Sequence, residues 1–154
     1  KKIIYENDGI KITAFNVDHY PVKPSIGYAI EYNNKKVVLS GDTKANKVVF
    51  EMATNADLLV HEAILNSLLK NTVKTLQSKE MYRNSHIVHD IQDYHTPPNE
   101  IVKLANKANV KTLVLHHLTP SPDNIIIKKL YEKQIKKFNG KVYLANDGDK
   151  FIVK

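Results

Sequence analysis

Ala56-Asp57-Leu58-Leu59-Val60-His61-Glu62-Ala63 holds a short, unbroken apolar run, Leu58 to Val60, that ends on an imidazole and a carboxylate. Such a run reads as a buried parallel strand, because a strand covered on both faces has no polar side to alternate with. Two more stretches have the same form. Val37-Val38-Leu39 leads into Ser40-Gly41-Asp42-Thr43, and Thr112-Leu113-Val114-Leu115 leads into His116-His117. In layered α/β structures the ends of neighbouring strands open onto one crevice, so separate strands deliver side chains to a common point. Asp42, His61, Glu62 and His117 are therefore candidates for binding a metal or moving protons.

Working outward, Ile3–Tyr5 and Lys11–Val17 predict a hairpin about Asn7-Asp8-Gly9. Gly27–Tyr32 and Lys36–Leu39 predict a second about Asn33-Asn34, a pair that tolerates positive φ. Helices are expected over 45–54, where Val48, Val49 and Met52 share a face, and over 65–76. Residues 77–94 are polar and point to no definite element. Thr96 is a candidate N-cap, with Pro97 at the first position of a helix running to about Ala108. A last helix spans 123–138 and closes on Asn139-Gly140, and Lys141–Ala145 with Lys150–Val153 predict a closing hairpin.

The chain has 154 residues, one domain's worth, with 42% hydrophobic and 25% charged residues. No apolar run approaches the roughly 20 residues needed to span a bilayer. The absence of cysteine removes disulfides, Cys-ligated zinc, iron–sulfur clusters and thiol nucleophiles together, so any metal must sit on His, Asp or Glu. It also suits a reducing compartment, and a cytoplasmic location is expected. The net charge of +7 comes from scattered lysines with Arg83 as the sole arginine, which reads as a solvated surface rather than a nucleic-acid face. The opening Lys1-Lys2-Ile3-Ile4 carries no methionine and no signal-peptide pattern, so the native start is expected upstream.

The order of the local motifs resembles the metallo-β-lactamase superfamily, in particular its ribonuclease Z and arylsulfatase-like branches. The matching stretches are His19-Tyr20-Pro21-Val22-Lys23-Pro24-Ser25-Ile26-Gly27-Tyr28, Ser40-Gly41-Asp42-Thr43, Ala56 to Ala63, Tyr94-His95-Thr96 and Leu113 to Leu118. The resemblance implies that His19 and His117 each ligate one of two zinc ions and that Asp42 bridges them. It implies that His95 assists proton transfer to the leaving group, with Glu62 supporting it by a hydrogen bond and His61 in a supporting role. It further implies an α/β fold: the second half of an αββα sandwich, a mixed sheet with helices on the outer face. Residues 1–154 would then be a single partial domain, because the family's His-x-His-x-Asp-His cluster does not occur in them.

The residues themselves leave alternatives open. His19 can be an exposed strand-end histidine, and Asp42 can cap a helix starting near Lys44 while a second oxygen binds a cation. Only one of His116 and His117 can face the crevice, since neighbours on a strand point to opposite sides. His86 and His89 read as surface residues. The implied activity is hydrolysis of an ester by metal-activated water, inactive in this portion alone. A small ester is preferred over transfer RNA, because no Gly- and Lys/Arg-rich arm is present. A non-catalytic interaction domain is the other reading. An unmatched sheet face is expected to be covered by the remaining half or by a second copy.

Overall fold

The computed structural model describes residues 1–153. Seven strands form one sheet in chain order: β1 (Lys2–Asn7), β2 (Ile10–Val17), β3 (Ser25–Tyr32), β4 (Lys35–Leu39), β5 (Leu58–Ile64), β6 (Thr112–Thr119) and β7 (Lys141–Leu144). β1 to β4 are antiparallel and joined by hairpins, whereas β4 to β7 are parallel and joined by helical crossovers. Both predicted hairpin turns are two-residue turns with φ positive throughout: Asp8 and Gly9 at 50° and 77°, Asn33 and Asn34 at 48° and 59°. That geometry matches the strand twist.

The helices are α1 (Lys47–Met52), α2 (Asn66–Ser78), α3 (Tyr82–Asp90) followed by a 3₁₀ turn (Ile91–Asp93), α4 (Pro98–Lys107) and α5 (Ile125–Ile135). One sheet face supplies Phe15, Ala29, Val38, Leu59, Leu113 and Leu115 to the core. Val49 and Phe50 of α1, Ile101 and Ala105 of α4, and Tyr131 and Ile135 of α5 cover it. The opposite face leaves Ile26, Tyr28, Tyr32 and Tyr143 between 36% and 48% exposed. The fold is a mixed α/β sheet, as expected.

Several boundaries differ from expectation. β5 and β6 run through His61-Glu62 and His116-His117 rather than stopping there, because the ladder continues with Glu62 opposite His116 and then Ala63 opposite Leu118. Asn46, not Asp42, caps α1, its side chain accepting the Val48 N–H at 2.8 Å. Pro97 is the N-cap of α4 and Pro98 its first helical residue; the Thr96 hydroxyl is spent elsewhere, on the Thr43 carbonyl. The polar stretch 77–94 is largely helical and packs against α2. Lys150–Val153 form no strand: the turn closed by Asn146 and Asp149 sends the tail across the sheet face, where Phe151 meets the Tyr143 ring at 5.3 Å.

Candidate functional site

Four chain segments bring the site together at one end of the sheet. The loop after β2 carries Asp18-His19, and the loop after β4 carries Asp42-Thr43. The segment before α4 carries Tyr94-His95-Thr96, and β6 carries His117. Gly41 makes the second of these possible. It turns the chain at φ +64°, and a Cβ there would stand 2.5 Å from the Ile26 carbonyl oxygen. His117 sits in the β-bulge of β6 at φ 46°, and this extra residue separates it from His116, which stays in register opposite Glu62. The bulge therefore resolves which of the pair joins the cluster.

His117 Nε2 lies 3.8 Å from Asp42 Oδ2, with both side chains about half exposed at 50% and 42%. The His95 ring centre is 5.5 Å from that of His117 and 5.0 Å from that of His19. Tyr94 packs edge-on against His19 at 4.8 Å and tilted against His95 at 5.3 Å, a contact the sequence did not signal. The structure thus brings His19, Asp42, His95 and His117 into one cluster. His86 and His89 lie outside it, exposed on α3.

Glu62 is fully buried and both its oxygens are used. Oε2 is 2.9 Å from His95 Nδ1, the contact expected from the sequence, and Oε1 accepts the Thr96 N–H at 2.8 Å. An ionised carboxylate only accepts, so His95 Nδ1 carries a proton and its Nε2 is the atom free to give or take one. His61, the next residue along β5, points the other way. It is stacked on Phe50 in the core at 5.6 Å, with Nδ1 donating to the Glu62 carbonyl at 2.7 Å. Burial pushes the His61 pKa below its ordinary value, against the pull of the Glu62 charge, so the ring is neutral. His116 is lowered too, first by burial and then by its neighbour His117. Burial, with a smaller contribution from Asp90, raises Tyr94.

The fit to a divalent ion can be judged from the donors. His19 Nε2 is buried and has no hydrogen-bond partner, which leaves it open to a ligand; His61 Nε2, stacked in the core, is unpartnered as well. Two imidazoles and a carboxylate are the donor chemistry that zinc prefers. Among the described residues no group of three His, Asp or Glu is spaced to hold a metal by itself. By type, though not by spacing, the donors present suit a divalent ion.

Residues 3–118 match the family model described as the beta-lactamase superfamily domain. The chain is 33% identical over 143 residues to a ribonuclease Z of Mycobacterium tuberculosis, covering 93% of this chain and 48% of that protein. It is 33% identical over 144 residues to the ribonuclease Z of Mycolicibacterium paratuberculosis, covering 94% and 48%. The chain spans about half the length of these relatives. Among solved structures, the metallo-β-lactamase fold protein YhfI of Bacillus subtilis superposes with a TM-score of 0.65 at 20% identity, over 94% of this chain and 50% of that one. The short form of human tRNase Z superposes with a TM-score of 0.64 at 20% identity, over 99% and 45%. These two likenesses show the fold.

Proposed function

Because the chain belongs to the metallo-β-lactamase superfamily, in its ribonuclease Z branch, we propose that the whole protein is a metal-dependent hydrolase of phosphodiester bonds in RNA. The observation that carries this reading is the buried Glu62–His95 pair set beside the His117–Asp42 pair. The relatives' names move the substrate from the small ester that the chain's lack of an arm favoured to an RNA phosphodiester. His19, Asp42 and His117 would hold zinc, one ion or two. A bound divalent ion supplies Lewis acidity and a nucleophile at neutral pH.

The chain's own residues do the rest. Glu62 fixes the His95 ring with Nδ1 protonated, so that a proton held at Nε2 passes to the departing oxygen. Asp42 and His117 are half exposed, which leaves room for a substrate to reach them. The exposed Ile26, Tyr28 and Tyr32 face is assigned to packing against the rest of such a protein. No helix among the described residues is long and apolar enough to cross a membrane. A cytoplasmic location belongs to the same reading.

The test is cleavage of a precursor RNA and of a model phosphodiester by the whole protein, with zinc measured in the same sample. Zinc should be present, and chelation, Asp42→Ala and His117→Ala should each abolish cleavage. His95→Ala should lower it by about 10²–10⁴-fold. Cleavage that survives chelation and Asp42→Ala would overturn the reading, and a zinc-free protein without turnover would favour an interaction domain.

A further inference from the structure

We propose that the peptide unit joining Thr43 to Lys44 is the positioning element of the site, gripped from two other loops so that His19, Asp42 and His95 keep a fixed spacing. Its carbonyl oxygen accepts the Thr96 hydroxyl at 2.8 Å, and its N–H, that of Lys44, donates to the Asp18 carbonyl at 2.7 Å. The Thr43 hydroxyl adds another grip, accepting the Asp18 N–H at 3.2 Å. Its one proton goes to the Lys44 carbonyl at 2.7 Å, nearer than the Asp18 carbonyl at 3.1 Å. On the other side of Thr43, the Asp42 carbonyl accepts the Ser25 hydroxyl at 2.7 Å.

Each gripping residue is the chain neighbour of a clustered one. Asp18 precedes His19, Thr43 follows Asp42 and Thr96 follows His95. All three segments lie outside helices and strands, and of the three residues only Thr96 also has its carbonyl on a strand, accepting the Ile64 N–H at the end of β5 at 3.0 Å. Thr43 and Thr96 are both 0% exposed. A buried hydroxyl or carbonyl that loses its partner finds no water to replace it, so the Thr43 and Thr96 loops have one low-energy arrangement, to which the exposed Asp18 is joined by part-buried bonds. Glu62 Oε1, on the Thr96 N–H, ties the same joint to β5. Thr43 and Thr96 are positioning residues: they touch no substrate, and they act through the side chains beside them.

Two measurements on the full chain test this, one without metal and one that rests on the metal reading above. Thr96→Val removes the hydroxyl at nearly constant volume. Hydrogen exchange at the Lys44 amide, which sits on a different loop, should quicken by about fivefold for the loss of one hydrogen bond. A purely local role for Thr96 would leave that amide unmoved. Zinc affinity, read by competition with a chelator, should fall by about tenfold or more, the usual effect of losing a partner behind a ligand. Thr96→Ser should restore both. Unchanged Lys44 exchange in a folded Thr96→Val protein, or a serine variant that behaves like the valine one, overturns the proposal. Zinc that fails to bind even the unaltered protein overturns the metal reading instead, and the exchange result still decides the joint. Should Thr96→Val not fold, Ser25→Ala frees the half-buried Asp42 carbonyl and must also quicken Lys44 exchange; no change there overturns the proposal.

Discussion

Glu62→Gln keeps the shape of a fully buried side chain and replaces one oxygen by an NH₂ group. Each Glu62 oxygen faces a single N–H, that of Thr96 at 2.8 Å and His95 Nδ1 at 2.9 Å. A carboxylate can accept from both, but an amide accepts only through its one oxygen. The Thr96 backbone has no other protonation state, so the glutamine oxygen turns to it and the NH₂ group faces His95. Two donors cannot share that gap, and the ring must move its proton from Nδ1 to Nε2. Hydrogen bonds to a charged group contribute about 1.5–3 kcal/mol each and neutral ones about 1, so exchanging two of the first for two of the second costs about 2 kcal/mol. In a chain of this size that lowers Tm by about 4–8 °C. If the same loss is felt in the transition state, turnover falls by about 30-fold. Nitrogen-15 NMR distinguishes the two tautomers directly. A Glu62→Gln protein whose His95 keeps the Nδ1 proton, or whose Tm is unchanged, would refute the reasoning.

Gly27→Ala should destabilise the chain by about 1–3 kcal/mol through overpacking. A Cβ there would meet Phe15 Cε2 at 2.5 Å and the Leu39 carbonyl oxygen at 2.9 Å, and urea unfolding reads the loss. Stability should also fall as the pH drops through 6.5, the ordinary histidine value, because the unfolded chain then protonates His61 while the buried ring, with its lowered pKa, does not. That contribution is fully present above about pH 7 and is lost on acidification by up to ~1.4 kcal/mol per pH unit until the folded-state pKa is reached. Comparison of urea midpoints with a His61→Gln variant checks it, and identical slopes in the two proteins would sink it.

The amino-acid sequence by itself determined the sheet's parallel half and its hairpins. Leu58–Val60 and Leu113–Leu115 lack polar alternation and are buried but for the half-buried Val60, and Asn33-Asn34 tolerates the positive φ of a tight turn between strands. The strand-end position of Asp42 and the place of His95 just ahead of a proline-led helix were readable for the same reason: burial periodicity and turn chemistry are local. Tertiary structure decided what lies between elements. Residues 77–94 are too polar to announce a helix, and α3 exists because it packs on α2. Whether β5 and β6 stop at their histidines depends on pairing across 54 positions of chain, and the bulge that frees His117 is a property of that register. Thr96 looks like an ordinary capping residue in one dimension, yet its hydroxyl is committed to the Thr43 carbonyl on another loop, and the Thr43 hydroxyl accepts the Asp18 N–H from a third. A hydrogen bond between residues 53 apart leaves no periodic mark on the sequence, since only the folded sheet brings its two ends within reach.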